Sequence, residues 1–325
     1  MTSLAIECVE RSQSAPINCS DLHDQIDARI VQDRPEDIQS LSYATRWPDD
    51  PQRVLDQTST QIRFGLPLLQ GCETALNRGE TINRTGLLCA SHYGRLQFMH
   101  AMMSPQAIGE FERQRELILA WAEFAFKVST EAEFANLEYC STVSSLENID
   151  LRAALTFDNA EQRGSFCFQR RHPVYFWKTY KPWKVSTLFA FSCEEPINLN
   201  TCGVVSDVVA QQAAAGAILH LIQDSYSQSH ASRRVNGAIL APTGPFDARV
   251  VCAPVRAFYI YQEQTGKEDR HKPADASPML DESCATEERQ VDDVITASAM
   301  AVHYIRNSNL SGFNDYLSSR VFPKP

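Results

Sequence analysis

The segment from His220 to His230, HLIQDSYSQSH, constrains this chain more than any other because it contains two histidines and an aspartate. In a helix, His220 and Asp224 are four residues apart and lie on the same face. His230 would lie about 80° around the helix from His220, on the side opposite to Asp224. Imidazole and carboxylate are zinc ligands. One helix could therefore offer His220 and Asp224 to one metal ion and His230 to a second, which predicts a multinuclear site.

A plainer interpretation of the same pair is a solvent-facing contact on a helix surface. The preceding residues argue against it, because 208–221 are mostly small and apolar and are typical of a buried helix. A buried histidine and aspartate need a partner to offset their desolvation, and a metal ion is one such partner.

Length and charge restrict the class of protein. A chain of 325 residues, 43% hydrophobic, can form a sizeable core. We interpret residues 1–325 as a single domain with an insertion at about 155–203. No apolar run approaches the ~20 residues of a membrane span. The net charge of −10 gives no general attraction to nucleic acid, although the insertion holds a basic patch among aromatics. The basic residues are Arg170, Arg171, Lys178, Lys181 and Lys184, and the aromatic residues are Phe176, Trp177, Tyr180 and Trp183.

Ten cysteines are spread along the chain without a Cys-x-x-Cys pair, which disfavours a structural cysteine–zinc site. An even number in this pattern favours disulfides in a secreted or periplasmic protein. The alternative is ten scattered thiols in a cytosolic enzyme. Cys72 with Cys89 and Cys193 with Cys202 are predicted local bridges. The residues that begin the chain lack a signal-peptide pattern, so an exported protein would begin here after its signal.

Periodicity and turn residues predict a mainly α fold with a smaller β-containing or irregular insertion. The first twenty residues are predicted to form an irregular arm. Predicted helices cover 21–39, 61–77, 88–103, 105–133, 207–233 and 287–305. Predicted strands lie at 166–169 and 185–191, residues 250–261 predict a strand or the start of a helix, and 267–281 predict a polar loop.

Other residues could complete a metal site. His271 and Asp275 repeat the His-x-x-x-Asp spacing, although by themselves they are typical of a charged loop. The further candidates are His23, Asp49, Asp50 and His92, and each lone histidine would ordinarily be a structural or surface residue. His100, His172 and His303 lack an acidic companion at ligand spacing, and we predict that His303 packs in the core.

Taken in order, these motifs resemble the zinc-dependent phospholipase C and single-strand-specific nuclease superfamily. His-x3-Asp-x5-His, the central motif of that superfamily, matches His220, Asp224 and His230. The following His-x3-Asp matches His271 and Asp275, and the earlier Ser-His-aromatic motif matches Ser91-His92-Tyr93. The sequences DSYSQSH, His23-Asp24-x-Ile26 and Arg46-Trp-Pro-Asp-Asp-Pro are most similar to a bacterial phospholipase C branch.

The resemblance implies a multi-helix phospholipase C/nuclease-like fold with two or three zinc ions. One zinc would take His92, His220, Asp224 and either Asp49 or Asp50. A second zinc would take His230, His271 and Asp275, and a third would share Asp224 and take His23. The third site departs from the family, whose members commonly use an N-terminal tryptophan where this chain has Met1. That site would be altered, would use Asp49 or Asp50, or would need proteolytic trimming.

These ligands predict a phosphodiester hydrolase. Two zinc ions about 3.5–4 Å apart hold a bridging water, lower its pKa and clamp phosphoryl oxygens. Asp49 or Asp50 could also orient the attacking water as a base. The leading hypothesis is a secreted phospholipase C that acts on phosphatidylcholine-type lipids at a membrane surface. The aromatic and basic residues of the insertion could meet lipid, or they could simply pack the insertion. The alternatives are a nuclease that binds single-stranded nucleic acid, or a non-catalytic zinc-binding effector.

Overall fold

The computed structural model defines the backbone of most of the chain. It describes residues 1–12, 17, 19, 22, 41–49, 72, 87–107, 109–157, 163, 167–171, 179–189, 191–192, 203–204, 207–233, 251–264, 280, 284 and 291–324. Within these residues, no helix has the length and apolar character needed to span a membrane.

Helices dominate the described residues, which confirms the prediction of a mainly α protein. They are α1 (Thr2–Arg11), α2 (Leu41–Ala44), α3 (Leu87–His92), α4 (Phe111–Thr130), α5 (Ala132–Asn136), α6 (Tyr139–Ser144), α7 (Ile149–Leu155), α8 (Asp207–Asp224), α9 (Tyr261–Gln264), α10 (Val294–Arg306) and α11 (Leu310–Tyr316). Single turns of 3-10 helix cover Gln97–His100, Pro105–Ala107 and Val185–Leu188, and a π-helical turn covers Leu317–Val321.

Helix α8 lies at the centre and packs against α4, α10 and α2. Its buried residues include a series of alanines around Gly216, so neighbouring elements can approach its backbone closely. A helix that is apolar on nearly every side is typical of a buried position. The polar residues of its last turn, His220 and Asp224, are consequently buried as well.

Both ends of the chain pack beside this centre. The predicted irregular arm is wrong, because residues 2–11 form α1, whose buried face of Leu4, Ala5 and Cys8 packs on α10. The prediction of a helix at 287–305 places its start too early. Helix α10 begins at Val294, where the carboxylate of Asp293 caps the backbone N–H groups of Ile295 and Thr296.

Three two-stranded antiparallel sheets are small: β1 (Arg170–Arg171) with β2 (Thr179–Tyr180), β3 (Phe191–Ser192) with β4 (Gly203–Val204), and β5 (Ala231–Ser232) with β6 (Ala257–Phe258). The strand prediction for 166–169 is wrong in its described part, where 167–169 form a turn before β1. Of the described residues in 185–191, only Phe191 is in a strand, and Val185–Leu188 form a 3-10 turn. The prediction for 250–261 is confirmed in part, by β6 and the start of α9.

Three predicted helices are shorter in the structure. The 88–103 helix ends at His92, and a 3-10 turn follows at Gln97. The 105–133 helix begins only at Phe111, because Gly109 has a φ of 84° that breaks the helical path. The 207–233 helix ends at Asp224, so His230 lies in the turns beyond it. The predicted helices 21–39 and 61–77 and the loop 267–281 lie almost wholly outside the described residues.

Four disulfides tie the described segments together, with Cα–Cα separations between 4.8 and 5.7 Å. They join Cys8–Cys19, Cys72–Cys89, Cys140–Cys167 and Cys252–Cys284. The predicted Cys72–Cys89 bridge is confirmed, and the predicted Cys193–Cys202 bridge lies outside the described residues. Four disulfides among the described residues are compatible with an extracellular protein.

Candidate metal centre

The last turn of α8 carries the first pair of candidate ligands. Nε2 of His220 lies 2.9 Å from Oδ2 of Asp224, as expected for residues four apart on one helical face. Both side chains are largely buried. Nδ1 of His220 donates a hydrogen bond to the carbonyl oxygen of Thr45 at 2.9 Å. That bond fixes the ring and directs Nε2 toward Asp224.

Gly216 allows the Thr45 carbonyl to come this close. A Cβ atom at position 216 would lie 2.2 Å from the backbone of Ala44, so only glycine permits this approach between α8 and residues 44–45. Trp47, fully buried against Phe189, anchors the same segment in the core. The segment then brings Asp49 to the histidines.

Asp49 places one carboxylate oxygen among three histidines. Its Oδ1 lies 3.6 Å from Nε2 of His92, 3.6 Å from Nε2 of His220 and 3.8 Å from Nδ1 of His100. The side chain of Asp49 is 52% exposed, unlike the side chains of the other members of the cluster. Asp49 therefore connects the buried cluster to solvent.

His100, at the end of the 3-10 turn, occupies the middle of the cluster. Its Nδ1 lies 3.0 Å from both Oδ2 of Asp224 and Nε2 of His220. Its buried Nε2 has no hydrogen-bond partner in the described part of the chain. The rings of His92 and His100 lie 4.5 Å apart, and Nδ1 of His92 contacts the hydroxyl of Ser91 at 3.1 Å.

His230 lies on the other side of Asp224. Its Nδ1 donates to the carbonyl oxygen of His100 at 2.7 Å and lies 3.5 Å from Oδ2 of Asp224. With Nδ1 protonated, Nε2 carries the lone pair that a metal ion would use. Asp224 thus lies between His230 and the four-residue group of Asp49, His92, His100 and His220.

These five side chains, Asp49, His92, His100, His220 and Asp224, are called the His–Asp cluster below. Their potential ligand atoms form two overlapping sets, each within 4.8 Å: Asp49, His92 and His100, and His100, His220 and Asp224. Tetrahedral zinc with bonds of 2.0–2.1 Å would hold its ligand atoms about 3.3 Å apart. The measured separations, 2.9 to 3.8 Å, fall on both sides of that value. The donor set, nitrogen and oxygen without sulfur, fits a catalytic rather than a structural zinc.

The electrostatics of the cluster favour charged carboxylates. Burial alone would raise the pKa of Asp224, but His220 and His230 hold it well below its usual range. The pKa of Asp49 is lowered in the same way, chiefly by His220 against the opposing effect of burial. Burial also opposes protonation of His220, yet Asp224 and Asp49 raise its pKa to about 9. Burial and His92 lower the pKa of His100 to about 4, so its imidazole is neutral at pH 7.

The structure brings together five of the predicted site residues, Asp49, His92, His220, Asp224 and His230. Four others, His23, Asp50, His271 and Asp275, lie outside the described residues. His100, which has no acidic residue at ligand spacing in the sequence, contacts Asp224 from 124 positions away in the chain. His303 was misassigned: it is half-exposed and contacts Asn307.

A second buried polar group, the Arg233 network, adjoins the end of α8. The guanidinium of Arg233 is almost fully buried and donates to the carbonyl oxygens of Ser225, Ala253 and Val321 and to the hydroxyl of Ser225. It lies 4.0 Å over the ring of Tyr226. Arg233 thus links the residue after Asp224 to the segment before β6 and to the C-terminal turn.

Asp292 extends this network. Its two carboxylate oxygens accept from the hydroxyl of Tyr316 at 2.8 Å and from Arg320 at 2.7 Å. Its carbonyl oxygen accepts from the hydroxyl of Tyr226 at 2.6 Å. Arg233, Tyr226, Asp292, Tyr316 and Arg320 therefore hold the C-terminal turn against the end of α8.

Comparison of the chain with known protein families, with curated proteins and with solved structures finds no match.

Proposed function

We propose that this protein is a zinc-dependent phosphodiesterase whose centre is the His–Asp cluster. One observation carries the proposal: three histidines and two carboxylates from three separate chain segments direct their ligand atoms toward one another inside the protein. Burying so many ionisable groups together is costly unless a ligand compensates them. A divalent cation fits this donor set.

The neighbouring residues prepare the ligands. The carbonyl oxygens of Thr45 and His100 fix the rings of His220 and His230 through their Nδ1 atoms, and such outer contacts orient metal ligands. Asp224 lies between the two histidines and could serve two metal ions. Zinc held here would lower the pKa of a bound water and stabilise charge on phosphoryl oxygens.

Asp49 has a distinct role in this proposal. Its carboxylate reaches His92, His100 and His220 while about half of its side chain remains exposed. It is therefore placed to accept a proton from a water that attacks a substrate arriving from solvent. The low pKa of Asp49 keeps it in the basic form at neutral pH.

Within this class we favour a phospholipase C that acts on phosphatidylcholine-type lipids and is secreted or periplasmic. The DSYSQSH motif supports this choice, and so does the presence of His92 in the same His–Asp cluster as Asp224, the first residue of that motif. The disulfides fit an oxidising compartment. The net charge of −10 disfavours a polyanionic substrate. Trp183 packs against Tyr139 and Phe157 and so is not arranged as a platform for bases.

The test is cleavage of phosphatidylcholine and of single-stranded DNA by the purified protein, with and without a chelator. We expect chelator-sensitive release of diacylglycerol. Cleavage of DNA alone would replace the lipase with the nuclease alternative. Failure to cleave either substrate after zinc is restored would contradict the enzyme proposal and leave a non-catalytic zinc-binding effector.

A matched pair of variants ties the activity to the cluster. His220→Ala removes a proposed ligand, whereas His303→Ala removes a histidine that contacts Asn307 on α10. We expect lipid cleavage to be lost in the first variant and retained in the second. Equal activity in both variants would exclude the cluster as the active site.

A further inference from the structure

A cavity whose lining includes no residue of the His–Asp cluster has a different character. It has a volume of about 430 Å³ and lies along the exposed face of α7. Ile149, Arg152, Thr156, Phe157 and Arg163 line it. Ile149, Arg152 and Thr156 are spaced by three and four residues, so they share one face of the helix. Two guanidinium groups, a hydroxyl and two apolar side chains therefore meet in one open pocket.

Within the described part of the chain, the two arginines of the cavity have no acidic partner. Arg152 makes a single 3.3 Å hydrogen bond to the carbonyl oxygen of Leu146. Neither Arg152 nor Arg163 forms an ion pair with any described residue. The nearby carboxylate of Asp150 is already paired with Arg113 at 2.5 Å. In a chain with a net charge of −10, two guanidinium groups thus line one cavity without an ion pair to any described residue.

The surroundings of the cavity are apolar and exposed. Ile149 is 68% exposed, and Phe168 is 64% exposed. Phe168 lies close to Arg163, because the N–H of Cys167 bonds the carbonyl oxygen of Arg163 at 2.9 Å. The Cys140–Cys167 disulfide fixes this turn against α6. Large apolar side chains that face solvent beside basic ones are typical of surfaces that enter lipid.

We propose that this cavity binds the phosphate of an anionic phospholipid and is the place where the protein contacts a membrane surface. Guanidinium groups pair with phosphate oxygens through two parallel hydrogen bonds. Ile149 and Phe168 would enter the lipid beside the bound headgroup. The site goes beyond the proposed hydrolysis, because it contains none of the metal ligands and requires no metal ion.

The test is co-sedimentation with vesicles of phosphatidylcholine and phosphatidylglycerol in equal amounts, in the presence of a chelator. Each basic side chain near an anionic surface accounts for about a fivefold change in affinity. We therefore expect Arg152→Gln with Arg163→Gln to weaken binding about 25-fold. Ile149→Ser should weaken it about fivefold through lost apolar contact. Unchanged binding in the double arginine variant would overturn the proposal.

The control is Arg11→Gln with Arg306→Gln, which removes two exposed positive charges on α1 and α10. Its binding should stay within about twofold of wild type. An equal loss in this control would overturn the cavity in favour of general charge attraction. His220→Ala should bind vesicles normally, so failure of the metal proposal leaves this test intact.

A final experiment uses inorganic phosphate to distinguish the binding of lipid from the binding of a free anion. We expect phosphate to compete weakly with vesicles for the wild-type protein and not to bind the double arginine variant. If phosphate binding depends on the two arginines while vesicle binding does not, the cavity is a site for a free anion, and the membrane proposal is wrong.

Discussion

The His–Asp cluster and the Arg233 network are both buried, both polar and both adjacent to the end of α8, yet they are satisfied differently. Arg233 gives its protons to three carbonyl oxygens and a hydroxyl, and Asp292 receives from Tyr316 and Arg320. In the cluster, imidazole nitrogens and carboxylate oxygens face one another, and among the described residues Nε2 of His100 has no partner. Buried polar groups normally find partners within the protein. We infer from this contrast that the Arg233 network supports the fold, and we propose that the His–Asp cluster holds a metal ion.

The largest expected difference comes from one substitution in each region. Asp224→Asn and Asp292→Asn both neutralise a carboxylate whose side chain is 12–13% exposed. We expect Asp224→Asn to lose zinc and to lower phosphodiesterase activity by at least about 1,000-fold, since the charge between the histidines is removed. Asp292→Asn should keep its zinc and lower the melting temperature. Zinc content and melting curves of the two variants check this, and a reversed pattern would contradict the division of roles.

Arg233→Met should have the next largest effect, on stability alone. It leaves three buried carbonyl oxygens without a donor, which should lower the free energy of unfolding by about 3 kcal/mol. Urea denaturation measures the change, and Arg233→Lys should recover part of it. If the methionine variant is as stable as wild type but fails to bind zinc, Arg233 belongs to the metal centre instead.

His100→Ala tests the residue that connects the two halves of the cluster. We expect zinc affinity to fall at least about tenfold, because Nδ1 of His100 lies between Asp224 and His220. Competition with a chelating dye gives the affinity, and His303→Ala serves as the control histidine. If His100→Ala binds zinc as tightly as the wild type, the metal site contains only residues that the sequence motifs predicted.

The last comparison concerns the dependence of stability and zinc affinity on pH. The pKa of His220 is raised to about 9, so in the metal-free protein its stabilising contribution is complete below about 6.5 and is lost as the pH rises through 9. Zinc requires the neutral ring, so zinc affinity should change in the opposite direction and rise about tenfold per pH unit up to about 9. Dye competition at several pH values measures the slope, which should flatten in His220→Ala. An affinity independent of pH in the wild type would contradict this account.

The sequence predicted the features that depend on local spacing. His220 and Asp224 share a face because they are one helical turn apart, and the apolar residues before them predicted a buried helix. Features that depend on distant contacts could not be predicted. His100 meets Asp224 across 124 positions, and the end of α8 at Asp224 moved His230 off the helix. Gly216 is the one local sign of the close contact with residues 44–45.

The decisive measurement for a metal centre in the His–Asp cluster is elemental analysis of purified wild-type protein beside His220→Ala. We expect about two or more zinc ions per wild-type chain and a loss of at least one in the variant, with both proteins folded. The same zinc content in both proteins, or less than one ion per folded wild-type chain, would contradict a metal centre in the His–Asp cluster.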